Sequence, residues 1–435
     1  MAGRPGRPAT AIANRNIAMP AIVSLIHLNA YDDDAVVLAA LRQALEPFGG
    51  MGGVVRPGQK VLLKPNLVAP SHPDLAVTTH PAILRGVIRL VREAGGTALV
   101  GDGPGVGDTR SAARGSGLLD VIEAEGATLA DFDSTEVYEN QDNRIARRLR
   151  LTSQLRQADV LITLPKLKTH AQMAYTGALK NQFGLIPGSA KGQFHFRLQN
   201  RDRLADLMID INRLARPALA IMDAVVAMEG PGPSGGTPRH LGALVAGLDL
   251  AAVDTVCCAM IGLPAKDVPI AMAAQRAQYG VIDLADITIA GARLDDFRKH
   301  DFELVKAPCN IMRILPLPGA MLRWLRRQLV PRPEIHAARC IRCRRCEYGC
   351  PIQPPAILPL AEPGRQVNEK TCIRCYCCHE FCPVKAIDLK RSRLDRVFQL
   401  NAIANAGSRL LGKLVSRCDF RRWFRPRTKP LDGSK

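Results

Sequence analysis

Eight of the chain's 13 cysteines fall into one pattern that occurs twice. CIRCRRCEYGCP runs from Cys340 to Pro351 and CIRCYCCHEFCP from Cys372 to Pro383, and both read C-x2-C-x2-C-x3-C-P. Thiolates at this spacing are ligands for [4Fe–4S] cubanes. Where two such runs occur together, three thiolates of each hold one cubane and the fourth crosses to the other. The expected ligand sets are Cys340, Cys343, Cys346 and Cys382 for one cluster, and Cys372, Cys375, Cys378 and Cys350 for the other. The proline after the last cysteine ends the ligand turn and removes an N–H there. Structural zinc also uses C-x2-C pairs, but it takes four ligands from two pairs and leaves the regular third and fourth cysteines without a task. A disulfide framework belongs to small secreted chains. Cys377 lies beside Cys378, which keeps the spacing; Cys257 and Cys258 read as core residues, and Cys309 and Cys418 are isolated. None of these five is assigned a role.

A second set of chemically capable residues sits where apolar runs end. VLL runs into Lys64-Pro65-Asn66, ALV into Gly101-Asp102-Gly103, VLITL into Pro165-Lys166, and LAIM into Asp223. Ligands of open α/β sheets bind at the carboxyl ends of the strands, so together these residues describe a polar rim around one crevice. Singly, each reads more readily as a surface turn or helix cap. The densest stretch, PKLKTHAQMAYTGALKNQFGLIPG (165–188), is read as a loop carrying Lys166, Lys168, Thr169, His170, Lys180 and Asn181, followed by Lys191 and His195. Fixed cations with hydroxyl and amide donors suit a small phosphate or carboxylate ligand; a solvated charged loop is the alternative. Glu229 opens EGPGPSGGTPRH, a candidate general acid or base on a mobile lid, or an ordinary loop. His80, His170 and His195, with Asp102, Asp223 or Glu229, offer N/O ligands for a second metal, though without local ligand spacing; scattered histidines are more often helix caps or hydrogen-bonding core residues. GDGPGVGD (101–108) is glycine-rich but matches neither the Walker nor the dinucleotide fingerprint. Asp254 starts or lines an apolar helix, or simply caps or hydrogen-bonds internally.

Elements that could position these residues alternate along residues 20–307. IVSLIHL, KVLLKPNL, TALVGDG, DVLITLPK, ALAIMDAV, GALVAGLD and ITIAG are short, apolar and bounded by turn residues, as buried strands are. Between several of them lie helical patterns. HPAILRGVIRLVREAGG aligns Ile83, Val87, Leu90 and Val91, and NRDRLADLMIDINRLAR aligns Leu204, Leu207, Met208, Ile211 and Leu214. The expected fold is α/β, a mainly parallel sheet with helices on both faces, plus a small C-terminal α+β iron–sulfur domain. Residues 308–334 read as a proline-punctuated basic linker, 335–390 as the cysteine module, and 391–435 as a basic tail.

Charge is unevenly placed. The net +19 divides into 33 Lys+Arg against 31 Asp+Glu in residues 1–307, and 26 against 9 in residues 308–435. Such a patch suits an acidic redox protein or an anionic membrane surface. Aromatics are 4%, too few for stacking platforms, and no nucleic-acid-binding signature accompanies the charge. No run of about 18 apolar residues suggests a spanning helix. The N-terminal arginines and apolar run resemble a signal peptide, but Pro20 splits the run and IVSLIHL reads as a first strand. A cytoplasmic location is expected, with the basic third able to meet the inner face of a membrane.

KVLLKPNLV, TTHPAILRGVIRLVREAGG, VGDGPG, ADVLITLPKLKTH, TGALKNQFGLIPG, IMDAVVAMEGPGPSGG and LDLAAVDTVCCAMIGL, in this order over residues 20–300, resemble the blocks of the domain-of-unknown-function family 362. The joined module resembles a two-cluster bacterial ferredoxin. One departure is CPIQPPAI after the first run against CPVKAI after the second, which reshapes a loop without removing a ligand. By resemblance the motif residues are Lys64, Asn66, His80, Lys166, Lys168, His170, Lys180, Asn181, Asp223, Glu229 and Asp254. The leading expectation is a redox protein whose two 4Fe–4S clusters carry electrons to or from an anionic ligand in a lysine-rich cleft. Lys166, Lys168, His170, Lys180 and Glu229 would do chemistry there, and Lys64, Asn66, His80, Asn181, Asp223 and Asp254 would hold the ligand. The alternatives are an electron carrier or maturation factor docking an acidic partner, and a non-redox enzyme with structural or sensory clusters.

Overall fold

The computed structural model describes residues 21–105, 107–188, 190–305, 330–359 and 365–392, with Met321 and Gln328 between them. Cys309, Cys418 and most of the basic linker and tail lie outside these residues.

The large sheet is built from β1 (Ala21–His27), β2 (Lys60–Pro65), β3 (Thr97–Val100) and β4 (Thr128–Leu129). A separate antiparallel ribbon, β5 (Thr135–Glu139) and β6 (Arg148–Thr152), follows. The sheet resumes with β7 (Val160–Leu164), β8 (Lys166–His170), β9 (Ala174–Thr176), β10 (Leu219–Glu229), β11 (Thr237–Gly247) and β12 (Ile287–Gly291). Its order is β12-β1-β11-β10-β7-β2-β3-β4, with β8 pairing β10 and β9. Most pairings are parallel; β11 runs antiparallel to both neighbours, and β9 antiparallel to β8. This is the expected α/β class, a mainly parallel mixed sheet with helices.

Both faces are buried, because side chains alternate across each strand. Along β10, Leu219 and Ile221 join a core with helices Asp34–Leu45 and Pro81–Glu93, while Ala220 and Met222 join a second core with helices Arg201–Ala215 and Leu250–Met260. All seven apolar runs are strands, and both helical patterns are helices. Lys166–His170 differs from expectation: it is a strand, not a loop, and every residue of it is buried. Its register sets Lys166 opposite Asp223 and Lys168 opposite Met228, so the countercharge comes from a strand 57 residues away rather than from solvent.

The described C-terminal module spans Arg332–Lys390. β13 (Arg332–Ile335) pairs antiparallel with β16 (Ile387–Lys390), and β14 (Ile357–Pro359) with β15 (Arg365–Val367). Each cysteine run contributes a one-turn helix, Arg345–Tyr348 and Cys377–Glu380.

Candidate functional site

The strand ends collect the polar residues that the sequence singles out, and they are packed together rather than open. Lys64, at the end of β2, sits 2.7 Å from Asp102 with both side chains buried. The two form a fully buried ion pair. The other oxygen of Asp102 accepts from the Leu67 N–H. Gly184 lies directly over the pair: a Cβ there would come within 1.9 Å of Asp102 Oδ1, so only glycine lets the backbone cover it.

A second buried pair lies alongside. Lys166 Nζ donates to Asp223 Oδ2 at 2.9 Å and to the Tyr31 hydroxyl at 3.0 Å. Tyr31 donates to the other oxygen of Asp223 at 2.6 Å and stacks on His80, the ring centroids 3.6 Å apart. His80 is the N-cap of helix Pro81–Glu93: its Nδ1 accepts from Ala82 N–H, and its own N–H donates to Asp223. Burial pushes its pKa down to about 4, so the ring is neutral at physiological pH.

Lys168 has no carboxylate against it. It donates to Asn66 Oδ1 at 2.6 Å and to the Val77 carbonyl at 2.7 Å. Burial, with Lys180 and Lys166 nearby, holds it well below the usual lysine range. Asn66 Nδ2 donates to Asn181, whose own amide reaches Thr163 Oγ1 and the Lys64 carbonyl. Lys180 is half-buried and has no hydrogen-bond or ion-pair partner among the described residues. Burial again lowers its pKa, against a rise from Glu380 and Cys377.

Several expected residues stand elsewhere. Asp254 does not line a cleft; it accepts from the Ala178 and Leu179 N–H groups and Tyr175 OH, capping the short helix Ala178–Asn181 that carries Lys180 and Asn181. Burial raises its pKa to about 7. Glu229 is not on a free lid. It accepts from Glu303 N–H, 3.0 Å away, and the loop after it is held by Thr169, which donates to the Gly230 carbonyl. Lys191 holds the Gly103 and Pro104 carbonyls, so the glycine-rich loop turns oxygens toward a cation rather than amides toward a phosphate.

The cysteine module closes over this end of the sheet. Ser234 Oγ donates to the Glu380 carbonyl, Lys385 Nζ to the Gly236 carbonyl, and His379 Nε2 faces the Pro231 carbonyl. Glu380 Oε1 lies 3.3 Å from His170 Nε2. Burial drives His170 down and Glu380 up, so both groups are shifted toward neutrality. His195, lowered to about 4 by burial, has an Nδ1 without a hydrogen-bond partner. Tyr31, His379 and Glu380 were not singled out by the sequence. Tyr31 stands alone in a polar turn; His379 and Glu380 could have been noticed because they replace Glu347 and Tyr348 at equivalent places in the repeat.

Within the module the eight cysteines are free thiols grouped around two cavities. Cys340, Cys343, Cys346 and Cys382 line one, with Ile335, Val384 and Ile387; Cys350, Cys372, Cys375 and Cys378 line the other, with Ile352, Ile357 and Tyr376. Each cavity therefore takes three cysteines of one run and the last of the other. The backbone bends the same way in both runs, with Arg342, Arg344, Arg374 and Tyr376 all at positive φ. Amide groups turn onto the sulfurs: Ala356 N–H donates to Cys350, Arg374 to Cys372 and Ala386 to Cys382. A tetrahedral zinc with ~2.3 Å bonds draws its sulfurs to within about 4 Å of one another. Among the described residues no three His, Cys, Asp or Glu side chains converge as ligands of one ion. Four free cysteines nevertheless line each of the two cavities. Cys377 lines neither cavity, although its side chain hydrogen-bonds to that of Cys375, and Cys257 and Cys258 are buried in the large domain's core.

No described helix is long and apolar enough to cross a membrane. The thylakoid-associated protein of Synechocystis sp. is 38% identical over 254 residues, covering 58% of this chain and 78% of that protein. Two solved structures align at low similarity. Lactate racemase apoprotein from Thermoanaerobacterium thermosaccharolyticum is 15% identical with a TM-score of 0.35, over 54% of this chain and 57% of that one. A structural-genomics protein from Thermotoga maritima is 13% identical with a TM-score of 0.32, over 52% and 58%. The matches thus span less than two thirds of either solved chain, and at these scores neither bears on function. Residues 61–259, which include both buried lysine pairs, Lys168 and Lys180, match the family model for a domain of unknown function, DUF362. With the sequence identity to the Synechocystis protein, that match establishes that the chain belongs to the DUF362 family.

Proposed function

We propose that the chain is an iron–sulfur redox protein, with two [4Fe–4S] clusters serving an anionic ligand at the seam between the sheet's strand ends and the cysteine module. The observation that carries this reading is the grouping of eight free cysteines into two cavities, three from one run and one from the other in each. Cys340, Cys343, Cys346 and Cys382 would hold one cluster, and Cys350, Cys372, Cys375 and Cys378 the second. Bound there, such clusters supply one-electron transfer at potentials set by their surroundings. The chain's own residues do the rest. Backbone N–H groups donate to three of the thiols and would stabilise them as thiolates. Helix Cys377–Glu380 brings His379 and Glu380 against the large domain directly after Cys378.

The ligand reading narrows to Lys180. Lys64, Lys166 and Lys168 already have partners, whereas Lys180 is half-buried and has none among the described residues. His195 Nδ1 and Glu380 Oε1 likewise lack aligned partners. One further charge-assisted hydrogen bond from Lys180 to an anion contributes about 1.5–3 kcal/mol. The basic C-terminal third and the thylakoid association of the Synechocystis protein support a place beside the inner face of a membrane.

Anaerobic purification followed by iron and sulfide analysis tests the reading. About eight irons and eight acid-labile sulfides per chain are expected from two cubanes. Stoichiometric zinc without iron in a freshly isolated sample refutes it. Intact clusters with no anion retained, in wild type and Lys180→Ala alike, leave the electron-carrier alternative, which the closely packed strand ends favour.

A further inference from the structure

The two cysteine runs repeat in sequence and backbone, so differences between equivalent positions report what each run faces. In the second run Arg374 and Tyr376 are 9% and 2% exposed. Arg374 donates to the Val330 carbonyl and Tyr376 to that of Pro331, and the helix that follows meets the large domain. The first run is turned the other way. Ile341 is 60% exposed and Tyr348 72%, Arg342 and Arg344 are exposed, and Cys343 is the one exposed member of the eight. Ile341 shares the first cavity's lining with Cys343 and Arg344 and is more exposed than its equivalent, the half-buried Ile373. Arg344 lies over the Tyr348 ring and forks onto Glu347, which fixes the rim of this patch.

We propose that the first run is the docking surface for an acidic one-electron carrier protein. Electrons would enter or leave beside Cys343, and the second cluster would serve the large domain. This rests on the two-cluster reading above. A basic rim around an apolar, solvent-facing centre is the anatomy of an interface with a complementary partner. The chain's own linker and tail do not suit as occupants, since residues 308–334 and 391–435 together carry 17 basic against 4 acidic side chains and would repel the arginines.

Flavodoxin, an acidic carrier, serves as the probe. Binding of its oxidised form to the anaerobic holoprotein is measured by calorimetry, where no electron moves. Stopped-flow reduction by its hydroquinone then follows transfer of one electron to the protein, the anionic hydroquinone becoming the neutral semiquinone without release of a proton. Charge reversal in the double variant R342E/R344E should weaken binding and slow reduction by about tenfold, and salt should weaken wild-type binding, as for a screened interface. Ile341→Ser should weaken binding without changing its salt dependence. Reduction by the small methyl viologen radical cation should not slow in any variant, and neither iron content nor the cluster spectrum should change. Arg42→Glu, on the far large domain, should bind as wild type does.

Absence of salt-sensitive flavodoxin binding, or double-variant binding within about twofold of wild type, overturns the proposal. So does equal weakening by Arg42→Glu. Loss of phosphatidylglycerol-vesicle binding in the double variant, with flavodoxin binding intact, would reassign the surface to a membrane. A protein without iron would instead defeat the two-cluster reading, while the calorimetric comparison would still report on docking.

Discussion

Lys166 and Asp223 offer a direct test of how the strand-end residues act. The pair is 2.9 Å long with both side chains essentially inaccessible, and Asp223 also accepts from Tyr31 and from the His80 N–H. Lys166→Met removes the cation and leaves the carboxylate buried among two remaining donors. Breaking a buried pair from one side costs about 3–5 kcal/mol. Tyr31→Phe removes hydrogen bonds to two charged groups, Asp223 and Lys166, about 1.5–3 kcal/mol each, and also leaves the Val226 N–H without its partner. Adding Asp223→Asn to Lys166→Met removes the stranded charge but keeps an oxygen for Tyr31, so the double variant should be more stable than Lys166→Met alone. The built-in control is Arg42–Glu93, equally short at 2.7 Å but half exposed, where Arg42→Ala should cost about 0.2–1 kcal/mol. Urea unfolding of the anaerobic holoprotein, followed by circular dichroism, gives all four values. A Lys166→Met cost no larger than that of Arg42→Ala would refute the argument and make the strand-end pair an ordinary surface feature.

Cys350→Ala should damage the cluster held mainly by the second run, and Cys382→Ala the one held by the first. Paramagnetic resonance of the reduced variants identifies the surviving signal, and damage confined to each residue's own run would contradict the crossed grouping. Stability should depend on pH in two opposing ways. His80 and His195, near 4 when folded and about 6.5 when unfolded, each contribute up to ~3 kcal/mol that is present above pH 6.5 and lost as pH falls through 4. Asp254, raised to about 7, acts with the opposite sign, its contribution shrinking as pH rises from its unfolded value toward 7. His195→Gln should therefore flatten the acid limb of a stability–pH curve, and an unchanged limb would count against burial of a neutral ring. Gly105 has Phe381 of the module against it, where a Cβ would come within 2.3 Å of the ring. Gly105→Ala should cost about 1–3 kcal/mol by overpacking and raise hydrogen exchange at residues 377–381, with Phe381→Ala restoring protection in the double variant.

The strands were legible where burial on both faces demanded continuous apolar runs, and so all seven were found. β8 was not, because Lys-Leu-Lys-Thr-His has the composition of a surface segment. What buries it is Asp223 on β10, Asn66 after β2 and the module above, and none of these lies near it in sequence. The crevice expected at the strand ends was misjudged for the same reason, since side chains that look like a rim in sequence close upon one another in space. His80 carried a local sign that favours the cap over the metal ligand: a histidine directly before Pro81 is a natural N-cap with proline in the first turn. Asp254 carried none, because the helix it caps lies 76 residues earlier. The seam with the module rests on His379 and Glu380, which sit inside the ligand spacing and were read past as filler between cysteines.

The pairing of β13 with β16 has a consequence for the two basic segments that flank the module. Arg332 stands opposite Lys390, and Ser392 donates to the Gln328 carbonyl, so the chain enters and leaves the module side by side. Residues before 330 and after 392 therefore share one tether point. An anionic surface that captures either segment holds the other at high effective concentration, and the two then bind as a bivalent pair. Their joint avidity exceeds what each segment's own charges provide, and moving one of them to another edge of the module would weaken capture without removing a single lysine or arginine.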